Sequence, residues 1–361
     1  MKALSRIGGL LFGILLVIIL VPDRAGWQTV RLENLRVVPP ATLSVSALPS
    51  ISATPLAVGT IAPANLTIAD SPTAKPAPEP PAILAEDRLA ELKAARRALA
   101  AAPKLISRGP PSDYFDVFVR LPAAAKQGVA LRVLLVLHGM GGRGDWFAEP
   151  LIAEADRNNW LLVAPTLPYT KDWKDPIQLM QEDLELTGYL DKMMDELPAR
   201  LGLKLRQHAL IMGFSRGAQL GHRFALFYPE HVESAAVLSA GAYTMPLVKN
   251  DAGPLVFPFG IADVSKLLGQ AVDMPHFKRI SFWVAVGEKD NRSADVSRAF
   301  DSSCGKTRVD RARSFQGALT QIGSDARLAI FPNADHEITT DMRSGALRFL
   351  RQDEVADNWN D

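Results

Sequence analysis

The feature that most restricts the fold is the pentapeptide G-F-S-R-G at residues 213–217, which joins an apolar run to a helix-like segment. A serine on so tight a turn clashes with its neighbours unless glycine stands two positions before and two positions after it. The turn lifts the hydroxyl above a sheet and places it at a helix N-terminus, where negative charge is favoured. Ser215 is therefore predicted to be a nucleophile, and Gly213 and Gly217 are predicted to shape its turn.

From residue 114 onward, short apolar runs alternate with longer amphipathic segments, which is typical of a mostly parallel sheet covered by helices. Most runs are rich in valine, leucine and isoleucine without alternation, as expected for strands that are buried on both faces. The sequence thus predicts an α/β fold. The predicted strands are 114–121, 131–137, 160–164, 209–212, 234–238, 280–286 and 326–331, and the predicted helices are 176–200, 216–228, 306–322 and 339–351.

Residues 240–279 interrupt this alternation. They are rich in glycine, proline and aromatic residues, and they contain only one short helical piece, at 261–268. We expect them to form a small cap over the carboxyl edge of the sheet.

A second glycine-rich turn follows the apolar run at 133–137, with the sequence H-G-M-G-G at 138–142. Acyl transfer needs two backbone amides that hold the developing oxyanion, one after the nucleophile and one from a loop at another strand end. We assign these amides to Arg216 and Met140, with His138 and Gly139 as supporting residues of the motif. The pattern G-x-G-x-x-G at 139–144 also fits a dinucleotide site, but the next strand ends without the acidic residue that such a site needs.

The base and the acid that a serine nucleophile needs follow from position in the chain. Of the six histidines, His138 lies in the glycine-rich turn of the oxyanion amides, and four others lie on the wrong edge, in a helix or in approaches to later strands. His336 remains, after the last strand, on the edge where Ser215 is expected. Asp290 follows the strand before it, and the order Ser, Asp, His is the order that this arrangement uses. Asp295 and Glu288 are the alternatives to Asp290.

Other residues near the strand ends have two interpretations each. Tyr169, Trp173 and Tyr243 are expected either to line a substrate pocket or to pack under the cap. Arg216 is expected either to meet an anionic group of a substrate or to form a salt bridge on its helix. No pair of histidines has metal-ligand spacing with a third ligand nearby, so neither a metal nor another cofactor is predicted.

The chain begins with a segment typical of protein export. Lys2 and Arg6 precede an apolar run at residues 7–21, and charge returns at Asp23. A membrane span needs about 20 apolar residues and a signal-peptide core roughly 7–15, but no small-residue cleavage pattern follows the run. We expect an uncleaved membrane anchor through residues 7–21, with a cleaved signal peptide as the alternative. Both place the rest of the chain outside the cytoplasm.

Composition divides the chain into a signal or anchor at 1–26, a spacer rich in proline, alanine, serine and threonine at 27–82, a helix and linker at 83–111, and an α/β domain at 112–355. Frequent prolines make the spacer a semi-stiff tether. The formal net charge of +1 is not the excess of positive charge that favours binding of nucleic acid, so no nucleic-acid partner is expected. Cys304 is the only cysteine, which excludes an intrachain disulfide.

The chain from about 114 to 350 resembles the α/β-hydrolases, in particular secreted esterases similar to poly(3-hydroxybutyrate) depolymerases and feruloyl or acetylxylan esterases. The motifs HGMGG, GFSRGA, GEKD and a late ADH carry the resemblance. It implies hydrolysis of a small-molecule or polymeric carboxylic ester through a covalent acyl-enzyme on Ser215. The same residues would equally serve an amidase, a lactone hydrolase or an acyltransferase, and a non-catalytic binding module is a further alternative. Many secreted depolymerases carry disulfides, and this chain departs from them in that respect.

Overall fold

The computed structural model describes residues 20–23, 26–29, 35–38, 116–122, 125, 128–169 and 174–352. Its strands are β1 (Leu20–Asp23), β2 (Gly26–Thr29), β3 (Leu35–Val38), β4 (Val117–Arg120), β5 (Arg132–Leu137), β6 (Trp160–Pro165), β7 (Ala209–Phe214), β8 (Val232–Leu238), β9 (Lys249–Asn250), β10 (Gly253–Pro254), β11 (Ser281–Gly287) and β12 (Ala326–Phe331). The seven strands predicted in the α/β domain all form, and the last has the predicted bounds.

The large sheet has the strand order β12-β11-β8-β7-β5-β6-β4-β3. Strands β12 to β6 in this order are all parallel, β4 runs antiparallel to β6, and β3 pairs in parallel with β4. The prediction of a mostly parallel sheet is confirmed. Because β5, β7, β8, β11 and β12 all run in one direction, the loops after them lie along a single edge.

The helices are α1 (Gly144–Ala148), α2 (Ile152–Arg157), α3 (Pro176–Leu201), α4 (Arg216–Phe227), α5 (Val264–Leu268), α6 (Met274–Phe277), α7 (Asp301–Cys304), α8 (Arg308–Gln321) and α9 (Thr340–Gln352). The four predicted helices are α3, α4, α8 and α9, and their bounds agree within two residues. Local signals explain their ends. The Asp175 side chain accepts the Ile177 N–H at the start of α3, Gly202 ends that helix at φ 62°, and Thr307 and Asp310 form a capping box on α8.

Helices cover both faces of the sheet, which explains why its strands show no alternation of polarity. In β5, Val133, Leu135 and Leu137 belong to the core cluster that holds α3, α4 and α8. Leu134 and Val136 belong to the opposite cluster, with α1, α2 and α9. Successive side chains of a strand point to opposite faces, so residues 133–137 of β5 are all apolar.

Residues 240–279 contain the β9–β10 hairpin, α5 and α6. Their aromatic side chains pack into the core on the α4 side of the sheet. Phe257 lies 5.3 Å from Phe227 between ring centroids, and Phe277 lies 5.5 Å from Phe282.

The N-terminal region is described only in part. Strands β1 and β2 form an antiparallel pair, so Leu20 and Val21, at the end of the predicted anchor, lie in a strand. Strand β3 falls within the predicted spacer at 27–82. Residues 1–19 and 83–111 lie outside the described residues, and the domain assignments there stay predictions. Among the helices that are described, none has the length and hydropathy needed to cross a membrane.

Candidate active site

Ser215 occupies a strained turn between β7 and α4, with φ 54° and ψ −112°. Such a conformation is costly for a residue with a side chain and is found where surrounding structure enforces it. A Cβ atom on Gly213 would collide with the backbone of Gly217, and one on Gly217 would collide with the carbonyl oxygen of Leu137. The Ser215 N–H donates to the carbonyl oxygen of Leu238 at 2.8 Å, which ties the turn to β8.

The three residues predicted as nucleophile, base and acid form one chain of hydrogen bonds. Ser215 Oγ lies 2.9 Å from His336 Nε2, and His336 Nδ1 lies 2.7 Å from Asp290 Oδ2. A carboxylate only accepts, so His336 donates from Nδ1 and keeps Nε2 free to accept the serine proton. This is the geometry of a nucleophile with an oriented general base.

Asp290 is fully buried, and its second oxygen is also occupied. Arg308 Nη1 donates to Asp290 Oδ1 at 2.8 Å, and Arg308 Nη2 donates to the carbonyl oxygen of Asp295 at 3.0 Å. Sequence reasoning missed Arg308. One signal was available, because the capping box places Arg308 in the first turn of α8, and a helix that leads into a parallel strand starts at the carboxyl edge of the sheet.

Neither alternative acid contacts the imidazole ring of His336. The Asp295 carboxylate accepts from Arg292 Nε at 2.6 Å. The Glu288 carboxylate accepts the Asn333 N–H at 3.3 Å.

Backbone contacts join the loop of the acid to the loop of the base. The Lys289 N–H donates to the carbonyl oxygen of Ala334 at 2.8 Å. A Cβ atom on Gly287 would come within 2.5 Å of the carbonyl oxygens of both Ala334 and Asp335. Glycine at position 287 is therefore required for the close approach that brings His336 to Asp290.

His138 fixes the glycine-rich turn after β5. Its Nε2 accepts the Leu167 N–H at 2.9 Å, and its Nδ1 donates to the carbonyl oxygen of Gly139 at 2.7 Å. Burial lowers the pKa of His138, which favours the neutral ring that this pattern requires. A Cβ atom on Gly139 would lie 3.4 Å from Ser215 Cβ, so the turn lies against the nucleophile.

The Arg216 side chain is buried in an ion-pair network. Its Nη2 donates to Glu182 at 2.9 Å and to Asp183 at 2.6 Å, both on α3. Arg223 contacts the second oxygen of Asp183. The guanidinium carbon of Arg216 also lies 4.9 Å from the ring centroid of Tyr169. Arg216 thus forms salt bridges, but its partners lie on α3 and not on its own helix α4.

A cleft of about 390 Å³ opens above Ser215. The predicted residues that line it are Gly139, Met140, Ser215, Arg216 and His336. Sequence reasoning missed four polar residues of the lining, Lys174, Gln219, Arg292 and Arg308. Gln219 and Arg292 lie close in sequence to Ser215 and Asp290, whereas Lys174 and Arg308 reach the cleft from elements far from both.

Two of the three candidate pocket residues, Tyr169 and Tyr243, lie outside the lining of the cleft. Tyr169 packs against His138, with 5.1 Å between ring centroids, and is not part of the lining. Tyr243 is fully buried and stacks on Phe315 at 4.4 Å. Trp173 lies outside the described residues. Residues 240–279, which were predicted to form a cap, contribute nothing to the lining of this cleft.

Within the described part of the chain, the ligand atoms of Asp191, Glu230 and His231 lie within 4.8 Å of one another. The hydrogen bond of 2.9 Å between His231 Nε2 and Asp191 already accounts for one contact of this group. The group lies at the amino end of β8, whereas Ser215 contacts the carboxyl end of that strand. This group of three residues therefore does not line the cleft.

The fold is that of the α/β-hydrolases. The chain is similar to poly(aspartic acid) hydrolase-1 from Sphingomonas sp. KT-1, with a TM-score of 0.50 and 20% identity over 66% of this chain and 93% of that one. It is also similar to a poly(3-hydroxybutyrate) depolymerase from Bordetella parapertussis, with a TM-score of 0.51 and 19% identity over 66% and 86% of the two chains. Comparison with protein-family models and with curated proteins gives no match. The fold predicted from the sequence is thus confirmed at low sequence identity.

Proposed function

We propose that the protein is a serine hydrolase that cleaves carboxylic esters through a covalent acyl-enzyme. The observation that carries the proposal is the continuous hydrogen-bond chain from Ser215 Oγ through His336 to the buried carboxylate of Asp290. Ser215 lines a cleft and lies on a strained turn at the start of α4. Strain of this kind accumulates at functional sites.

In the proposed reaction, Ser215 Oγ attacks the ester carbonyl carbon while His336 Nε2 takes the hydroxyl proton. The tetrahedral intermediate collapses, the bond to the alkoxy oxygen breaks, and His336 returns the proton to the leaving alcohol. Water then attacks the acyl-enzyme with His336 again as base, which releases the acid and restores Ser215. Asp290 holds the ring and stabilises the imidazolium that forms in each half.

The oxyanion of each tetrahedral intermediate is assigned to the backbone amides of Met140 and Arg216. Both residues line the cleft beside Ser215, and Arg216 is the first residue of α4. A single donor of this kind is worth about 2.7–4 kcal/mol of transition-state stabilisation. The buried ion pairs of Arg216 hold this first turn of α4 in place.

An ester is the proposed substrate because one neighbour of similar fold is named for a polyester, whereas the other is named for a polymer joined by amide bonds. One is named as a poly(3-hydroxybutyrate) depolymerase and the other as a poly(aspartic acid) hydrolase. Cleavage of an amide or a lactone would use the same hydrogen-bond chain, and matched ester, amide and lactone substrates distinguish these outcomes.

The test is hydrolysis of short-chain aliphatic and aromatic esters by the full chain. We expect turnover by the wild type and a loss of about a millionfold in Ser215→Ala. Ser344→Ala, at an exposed position of α9, is the matched control and should keep wild-type activity. Hydrolysis that survives in Ser215→Ala, or none in folded wild type with any acyl substrate, would overturn the proposal.

We also propose that the hydrolase domain acts outside the cytoplasm. Lys2 and Arg6, followed by the apolar run at 7–21, support export. Intact mass of the protein from the membrane fraction tests this. A full N-terminus in the membrane supports an anchor, a mature chain that starts near residue 27 supports a cleaved signal, and an intact chain found in the cytoplasm contradicts export.

A further inference from the structure

The lining of the cleft is rich in cationic side chains. Lys174, Arg216, Arg292 and Arg308 contribute to it, whereas Asp295 is the one carboxylate in the lining. The Asp295 charge is already paired with Arg292 at 2.6 Å. An incoming acidic group would therefore meet cations that are held in place by the protein.

Two of these cations have N–H groups that are buried without a hydrogen-bond partner. Arg216 is 1% exposed, and its Nε and Nη1 atoms have none, although Nη2 pairs with α3. Arg308 is 6% exposed, and its Nε has none, although both of its Nη atoms are bonded. A buried donor without an acceptor costs about 1–3 kcal/mol, and more when it is charged. Such groups in a cleft call for a ligand that supplies acceptors.

Gln219 adds a third buried polar side chain to the same part of the cleft. It is 3% exposed, and its Oε1 has no hydrogen-bond partner. A Cβ atom on Gly241 would lie 3.1 Å from Gln219 Nε2 and 3.8 Å from Arg308 Nε. The Gln219 amide and the Arg308 guanidinium thus approach the same point of the backbone, where glycine leaves them room.

Acceptor oxygens with negative charge suit this set of donors best. Guanidinium groups only donate, and a carboxylate offers two oxygens that accept, one for each residue with an unpartnered N–H group. The ion pairs with Asp183 and Asp290 fix the two guanidinium planes in advance, so little side-chain entropy is lost when a ligand binds.

We propose that the cleft binds a carboxylate group of the substrate beside the scissile bond, through the guanidinium groups of Arg216 and Arg308, with the Gln219 side chain next to them. The inference rests on the proposed ester hydrolysis and names its substrate class, an ester whose acyl part carries an acidic group. Lys174 and Arg292, in the same lining, add to the attraction for such a substrate.

The test compares two substrates of the same shape, methyl hydrogen glutarate and methyl 4-carbamoylbutanoate, by pH-stat titration at pH 8. The first carries a carboxylate where the second carries an uncharged amide. We expect kcat/KM to be at least about tenfold higher for the carboxylate, because charge-assisted hydrogen bonds are about twice as strong as neutral ones. This ratio should fall as salt is added.

Gln219→Glu places a competing carboxylate among the donors and should lower the ratio by about tenfold or more. Gln321→Glu adds the same charge at an exposed position, at the opposite end of α8 from Arg308, and should leave the ratio unchanged. A wild type that hydrolyses the amide-bearing ester as fast as the carboxylate-bearing one, or faster, overturns this inference and leaves the proposed hydrolase intact. A folded wild type that cleaves neither these nor any other acyl substrate contradicts the proposed function itself.

Discussion

Asp290→Asn should lower the activity strongly, because the Asp290 carboxylate accepts one hydrogen bond on each of its oxygens. One carboxylate oxygen accepts from Arg308 at 2.8 Å, and the other accepts from His336 Nδ1 at 2.7 Å. A guanidinium group only donates, so the single oxygen of an asparagine amide must face Arg308. The amide N–H then faces His336, which must present an unprotonated Nδ1.

A neutral His336 with an unprotonated Nδ1 carries its proton on Nε2, the atom 2.9 Å from Ser215 Oγ. Nε2 then cannot accept the serine proton, and the general base is lost. A wrong tautomer of this kind lowers turnover by about four orders of magnitude, which corresponds to about 5 kcal/mol of activation free energy.

The assay is kcat/KM for an uncharged short-chain ester, with circular dichroism to verify the fold. Glu288→Gln makes the same chemical change at an exposed position of the same loop, and it should stay close to the wild-type rate. Adding Arg308→Met frees the amide to rotate, so the double variant should be more active than Asp290→Asn alone. Activity of Asp290→Asn within tenfold of wild type would refute the reasoning and transfer the role to Asp295.

Three further variants test the surroundings of the site. Asp183→Asn deprives two buried guanidinium groups of a shared carboxylate, and urea denaturation should show a loss of about 3–5 kcal/mol, against a smaller loss for Glu182→Gln; equal losses would contradict the network. Burial lowers the pKa of His222 well below its ordinary value of 6.5, so the unfolded chain takes up a proton that the folded chain does not. Stability should therefore fall as the pH drops below 6.5, by up to about 1.4 kcal/mol per pH unit from this residue, and His222→Gln should flatten that decline in denaturation curves. Gly287→Ala pushes away the loop that carries His336 and should lower kcat by about a hundredfold; an unchanged kcat would show that the contact does not matter.

The residues of the proposed triad were predictable because each follows a strand of the same parallel sheet. The three residues follow β7, β11 and β12, respectively: Ser215, Asp290 and His336. Parallel strands have their carboxyl ends at the same edge of the sheet, independently of the conformation of the loops between them. The apolar runs of β7 and β11 are strong signals because these strands are buried on both faces, whereas β12 lies at the end of the strand order and includes the exposed Arg327. Chain order placed the acid in the loop after β11, and the hydrogen bonds distinguish Asp290 from Glu288 and Asp295.

Side-chain partners between distant elements were not predictable. Arg308 reaches Asp290 from the first turn of α8, where the capping box marks its position but not its partner, and Asp183 reaches Arg216 from α3 with no local pattern to mark the contact. The short helices α1 and α2 were also missed. They span five and six residues, which is too short for a helical period to show, and Pro150 lies between them.

The activated nucleophile at Ser215 is tested most directly by labelling the folded full chain with a fluorophosphonate, followed by intact mass and peptide mapping. We expect one adduct per chain, on Ser215, with none in Ser215→Ala and much slower labelling in His336→Gln. A folded wild type that stays unlabelled, or an adduct on another residue, would contradict the assignment of Ser215 as an activated nucleophile.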